Sequence, residues 1–280
     1  AAALGDEDVN LEMKNEIKAV LEKCSVYLQS SPGEEVLEKA KRACEGLLTP
    51  KSNGKAEMSV WLQSFSKAVL DVTFYKENQL VDADFDGPDT ETELTSLFDD
   101  LDRPEICVKR WLGVDTKVTE ILSEEVFECI QWRKGALCYM YCCTLAQDEP
   151  ERRKKHSTFI KYCHDGVKHL QAMMAIRSPL NLPKNQVITN DQHIHSLLSR
   201  GIFSDTHVLA LIYGGELCSW YHRWSTPEDQ SKYNWENYRE VGETLLKSYL
   251  NACNGPLKGM GWSTSQAENL LKCLNSENPS

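Results

Sequence analysis

Apolar side chains return every third or fourth residue through nearly all of this 280-residue chain, and that period commits it to helices. Residues 11–29 place Ile17, Leu21, Cys24 and Leu28 on one stripe, and residues 34–48 do the same with Val36, Leu37, Ala40, Cys44 and Leu48. Residues 56–79 line up Trp61, Phe65, Val69 and Val72. The spacing predicts the longest helix from Thr116 to Ala146, roughly 45 Å at 1.5 Å per residue. Its first half is amphipathic through Val118, Leu122, Val126 and Cys129, and its second half, GALCYMYCCTLA, is apolar on every face, as in a helix enclosed by neighbours.

Asp148 and Pro150 open a helix predicted to run over 149–176 with Phe159, Cys163, Val167, Leu170 and Met174 inward. A short helix follows around 190–200. Ser204 then caps one carrying Val208, Leu211, Ile212, Cys218 and Trp220. Gly214 and Gly215 inside it cost roughly 1 kcal/mol each relative to alanine, which predicts a close approach by a neighbouring backbone. Helices over 235–253 and 263–275 end the chain. No strand pattern and no repeat period emerge. The expected fold is all-α, a compact array of about nine or ten helices with no sheet. Its parts are a flexible tail over 1–10, one helical domain over 11–276 with a break near 177–189 at the proline-bearing RSPLNLPKN, and an acidic loop over 82–92.

A chain this long buries roughly three quarters of its unfolded surface and needs neither disulfides nor metals for a core. The formal charge of −11 argues against nucleic acid as a partner. Ten carboxylates against the single Arg103 lie in residues 82–105, so most of that charge is concentrated there. The first ten residues lack an export signal, and the longest uncharged run, Gly135 to Gln147, is too short for a transmembrane segment. Eleven cysteines, mostly within helical stripes and without a CxxC pair, point to buried reduced thiols and a cytoplasmic protein.

The sharpest local pattern is Asp82-x-Asp84-x-Asp86-Gly87 with Glu93 at the twelfth position, the spacing of a calcium loop. Against it stand Asp89 at the eighth position, normally apolar, Pro88 at the seventh, and the absence of a second loop in the sequence. His164-Asp165 resembles the metal dyad of helical phosphohydrolases, but no histidine precedes His156. His193-x-His195 has no matching ligand pair. Cys142-Cys143 lies in the most apolar helix, where a thiol is packing and not a nucleophile. Glycine-rich phosphate loops and the nucleophile elbow are absent from the sequence. The chain therefore reads as a non-enzymatic binding protein without cofactors. The alternative is a calcium-regulated helical binding protein, and a helical metal hydrolase comes third.

Two features suit a contact surface. Arg152, Arg153, Lys154 and Lys155 form a basic run in an acidic protein, placed in the first turn of the predicted 149–176 helix where the macrodipole disfavours cations. Trp220, Tyr221, Trp224, Tyr233, Trp235 and Tyr238 crowd one helix–loop junction, about half of them expected in the core. The predicted partner-binding set is Arg152–Lys155 with Trp220, Tyr221 and Trp224.

The segments LVDADF (80–85), RPEICVK (103–109), ECIQWRKGALCYMYCCTL (128–145), RGIFSDTHVLALIYGGELCSWY (200–221) and REVGETLLKSYLNACNGPLK (239–258) resemble one family. It is the Rab-seven-interacting, Mon-one/Ccz-one complex subunit family, and the resemblance spans residues 60–258. It implies a cytosolic partner of the late-endosomal Rab GTPase and its heterodimeric exchange factor, linked to GTPase stability and placement during autophagic removal of damaged mitochondria. It assigns no contact residues.

Overall fold

The structure, a computed structural model, describes residues 6–48, 55–177, 191–199, 203–233 and 238–275. Among these residues there are thirteen helices and no strand. They are α1 (Asp6–Ser30), α2 (Glu35–Leu47), α3 (Lys55–Asp82), α4 (Thr90–Leu112), α5 (Val118–Leu122), α6 (Glu124–Gln147), α7 (Glu149–Lys154), α8 (His156–Ile176), α9 (Asp191–Ser199), α10 (Asp205–Trp224), α11 (Pro227–Tyr233), α12 (Tyr238–Asn254) and α13 (Ser265–Asn275). The chain divides into two compact units, Ala1–Ile130 and Gln131–Ser280. The proposed break at 177–189 falls almost wholly on residues outside those described. Residues 6–10 of the expected tail already belong to α1, with Val9 buried.

In the first unit α3 is the central helix, packed by α1, α2, α4 and α5. The predicted stripes are its core: Ile17, Cys24, Leu37, Ala40, Cys44 and Phe65 are fully enclosed. Trp61 stacks on Phe65 with centroids 5.1 Å apart and meets Trp111 edge-on at 5.6 Å. The Trp111 indole donates to Glu12 at 2.8 Å, tying α4 to α1. Arg103 donates to Glu16 at 2.8 Å and to Asp100 at 3.1 Å, while Lys23 also contacts Asp100. The acidic run is thus partly neutralised by cations of its own unit.

Two expected helices are interrupted. Among the described residues the longest helix is α3, not the one expected over Thr116–Ala146, because Ser123 adopts φ +72° between α5 and α6. Ser123 also accepts from the Val126 N–H at 3.4 Å, and Glu124 and Glu125 occupy the first turn of α6. A serine followed by two glutamates restarts the helix at a favourable dipole position. The expected 149–176 helix breaks at Lys155 (φ −100°, ψ 27°), so the basic run closes α7, its cations at the favourable C-terminal end, instead of opening a long helix.

The second unit is built on glycines at helix crossings. A Cβ on Gly135 of α6 would lie 2.6 Å from Leu170, and one on Gly166 of α8 would lie 2.9 Å from the Cys138 Cβ. The same arrangement recurs between α10 and α12: Gly215 against Leu246 at 2.5 Å and Gly242 against the Cys218 Cβ at 2.8 Å. In both pairs the leucine stands four positions after the second glycine and the cysteine three after the first. This is an internal repeat that the sequence pattern does not display. At Gly214 and Gly215 the close approach is made by α12, but through the side chains of Leu245 and Leu246 and not through its backbone. Phe159, Cys163, Val167 and Leu170 of α8 and Val208, Leu211 and Cys218 of α10 complete the core.

Candidate functional site

Both sequence-derived contact features belong to the second unit, and folding brings parts of them together. The Asp148 side chain accepts from the Glu151 N–H at 3.0 Å and starts α7, which carries Arg152 back over the last turn of α10. There the Arg152 guanidinium lies 4.0 Å from the centre of the Trp224 ring, and that of Arg223 lies 5.3 Å from it. Arg152 also donates to the Ala146 carbonyl at 3.3 Å, at the end of α6. The Trp224 ring is fixed from behind by Phe159, edge to face at 5.4 Å. Around this stack opens a groove of about 650 Å³, lined also by Gln147, Glu149, Arg153 and His156.

Three of the four residues of the basic run pair with carboxylates of α7. Arg153 pairs with Glu149. Lys154 and Lys155 both reach Glu151, at 3.4 and 3.3 Å. His156 meets Asp229 at 3.0 Å, and hydrogen bonds from Thr226 and His156 hold that carboxyl below its usual range despite partial burial. Arg152 and Arg223 have no carboxylate partner among the described residues. Arg223 is a groove residue the sequence reading missed. Its signal was a basic residue in the last turn of a helix, beside a tryptophan.

The aromatic group divides. Tyr221 is core: it is 1% exposed and stacks on Tyr238 at 3.4 Å, so it presents nothing to a partner. Trp220 is half-buried against Tyr139 at 5.7 Å. Trp235 lies outside the described residues. A second arrangement that sequence reasoning missed is the tier Trp132, Tyr213, Tyr139 and Trp220, with successive centroids 6.0, 3.7 and 5.7 Å apart. Glu216 accepts from Tyr139 and Gln266, each at 2.8 Å, and burial raises its carboxyl against these bonds.

The acidic loop has a structural explanation. Phe85 N–H bonds the Leu80 carbonyl and Asp84 N–H the Val81 carbonyl, both at 3.0 Å, with Asp84 at φ +49°. This is a Schellman stop to α3, with Phe85 buried as its apolar anchor. Asp82, Asp84 and Asp86 are exposed, and α4 begins at Thr90, inside the expected 82–92 loop. Glu93 turns to Lys76 at 2.6 Å. Among the described residues no three His, Cys, Asp or Glu side chains are grouped to hold a metal. His164 bonds the Tyr238 hydroxyl at 2.6 Å and Asp165 pairs with Lys161 at 2.7 Å, so this dyad is engaged in packing. The His193 side chain lies outside those described, and His195 is exposed. Burial pushes the Cys24 thiol up to about 11 and the Cys44 and Cys107 thiols up to about 12.

Comparison with known proteins gives one consistent result. The family described as RAB7A-interacting MON1-CCZ1 complex subunit 1 matches residues 28–275. A zebrafish (Danio rerio) protein of that name is 34% identical over 270 residues, covering 95% of this chain and 97% of its own. A Homo sapiens protein of the same name is 37% identical over 227 residues, covering 75% of this chain and 76% of its own. No solved structure matches.

Proposed function

Since the chain belongs to the RAB7A-interacting MON1-CCZ1 complex subunit 1 family, we propose that it works as a subunit that binds a RAB7A-type GTPase and the MON1–CCZ1 complex. The observation that carries this reading is the family match over residues 28–275. Its role is contact, not catalysis. The groove supports that role by offering an arginine-rich surface. Arginine is among the residue types that most often dominate the energy of protein interfaces. No helix among the described residues is long and apolar enough to cross a membrane, so recruitment to endosomal or mitochondrial surfaces would run through the partners. We extend the proposal to the consequence of binding: the chain keeps the GTPase stable and correctly placed in endolysosomal traffic and in autophagic removal of mitochondria.

The test is reconstitution. Purified full chain is mixed with MON1–CCZ1 and with RAB7A in its GDP and GTP states, and complexes are separated by size-exclusion chromatography. Stoichiometric co-elution with the exchange complex is the expected result. Absence of binding to either partner at micromolar concentration would overturn the reading.

A further inference from the structure

The charge of the chain is distributed unevenly between its units. Residues 1–130 hold 28 carboxylates against 14 lysines and arginines, whereas residues 131–280 hold 14 against 17. In the groove Arg152 and Arg223 have no carboxylate partner among the described residues, Arg152 donating only to the neutral Ala146 carbonyl. Both Arg152 and Arg223 lie within 5.3 Å of one indole centroid, so their charges are no more than about 9 Å apart, comparable with a Debye length at physiological salt. Two unpaired like charges at that separation repel, and an anion placed between them relieves the repulsion.

The indole does not offer itself as an apolar anchor, because at least one guanidinium covers it. Its part is to hold the guanidinium planes. A stacked arginine is weakly hydrated and has already lost much of its rotamer freedom, so it binds a carboxylate at a reduced entropic penalty. The neighbours are already committed: Arg153 to Glu149 and His156 to Asp229. What remains is a two-point receptor in an open groove of about 650 Å³, larger than a single side chain requires.

The rim favours a peptide over a membrane. Among the described residues the groove lining carries no aliphatic side chain larger than Ala146, and its one aromatic ring, Trp224, is covered by a guanidinium, so the lining offers little to a bilayer. Glu149 stands in the lining and would oppose a uniformly anionic surface, while a peptide can place its carboxylates away from it. We propose that the Arg152–Trp224–Arg223 groove is a clamp for an acidic peptide segment of a partner protein, each arginine taking one carboxylate. This rests on the reading of the chain as a protein-binding subunit.

The experiment uses the full chain and a fluorescein-labelled peptide with four glutamates in a glycine–serine background, followed by anisotropy. The same peptide with glutamines, inorganic phosphate and phosphatidylserine vesicles are the comparison probes. The glutamate peptide should bind, the glutamine peptide should not, and affinity should fall as salt rises. Arg152→Glu with Arg223→Glu should weaken binding at least tenfold with unchanged circular dichroism. Arg223→Gln alone should weaken it several-fold; as Arg223 is exposed, this variant serves if the double variant fails to fold. Arg223→Lys should restore only part of the loss, since an ammonium lacks the fork.

Equal peptide binding by wild type and Arg223→Gln would overturn the proposal. So would arginine-dependent binding of vesicles or phosphate without the peptide. Arginine-dependent self-association in sedimentation would assign the groove to a second copy of the chain and equally refute it. A variant that loses the peptide but still co-elutes fully with MON1–CCZ1 and RAB7A refutes the clamp as a partner contact and leaves the family-based reading standing. Loss of co-elution by wild type refutes that reading instead.

Discussion

The two units solve the same packing problem in opposite ways. The first fills its interior with large side chains, such as Trp61, Phe65, Met13 and Ile17, around one central helix. The second brings helices close by removing side chains, at Gly135, Gly166, Gly215 and Gly242. The first tolerates a helical glycine with open space around it, Gly46, whereas in the second a Cβ at Gly166 or Gly242 would meet a cysteine Cβ that cannot rotate away, and one at Gly135 or Gly215 would displace a leucine side chain. Charge follows the same division, with the acidic excess in the first unit and the arginine groove in the second. A unit held by interlocked helices presents a fixed surface, and a two-point arginine receptor needs one.

Removing bulk from the first unit should have the largest effect. Phe65→Ala should lower stability by about 4 kcal/mol through lost burial and a residual cavity. Urea denaturation measures this, and a loss under about 1 kcal/mol would show that the centre of the unit is not where the structure places it.

The next effect belongs to the second unit and depends on pH. Burial first, then Lys134, depresses His169 from 6.5 to about 4, with its ring held by Gln131 at 2.8 Å. The unfolded state therefore binds the extra proton between these two values. The contribution is fully present above about pH 6.5 and is lost as pH falls toward 4, about 3 kcal/mol in all. Urea midpoints for wild type and His169→Gln should converge over that window. Parallel pH profiles would show that His169 is not the group responsible.

Glycine exchange compares the units directly. Gly166→Ala sets a Cβ against the Cys138 Cβ, an atom that cannot rotate away, so overpacking of about 1–3 kcal/mol should exceed the helix-propensity gain of about 1. Gly46→Ala, with nothing within 4 Å, should gain that propensity term and stabilise by about 0.5–1 kcal/mol. Thermal unfolding decides it. The same sign for both substitutions would erase the distinction between the units.

Much of this was legible in the sequence because burial follows period. Ile17 and Cys24, Leu37, Ala40 and Cys44, and Phe159, Cys163, Val167 and Leu170 are buried, while Leu21, Leu28, Val36 and Leu48 of the same stripes are partly buried. The helix breaks were not legible. Ser123 and Lys155 are neither glycine nor proline, and Lys155 makes no side-chain cap bond, so neither residue type announces a break. The repeat escaped because its matched first helices are separated by eighty positions and its second helices by seventy-six, so a single period fits neither. Of the contact features, Arg152 and Trp224 were visible separately. Their stacking was not, because it depends on the turn at Lys155, and with it went the role of Arg223.

The proposed contact with the MON1–CCZ1 complex runs through Arg152 and Arg223, the arginines of the groove without a carboxylate partner among the described residues. The most direct measurement is the affinity of full chain for MON1–CCZ1 across a salt series, wild type against Arg152→Glu/Arg223→Glu. Wild-type affinity should fall with salt, and the variant should be at least tenfold weaker at low salt with a shallower salt dependence. Identical affinities and identical salt dependence for the two proteins would contradict that contact.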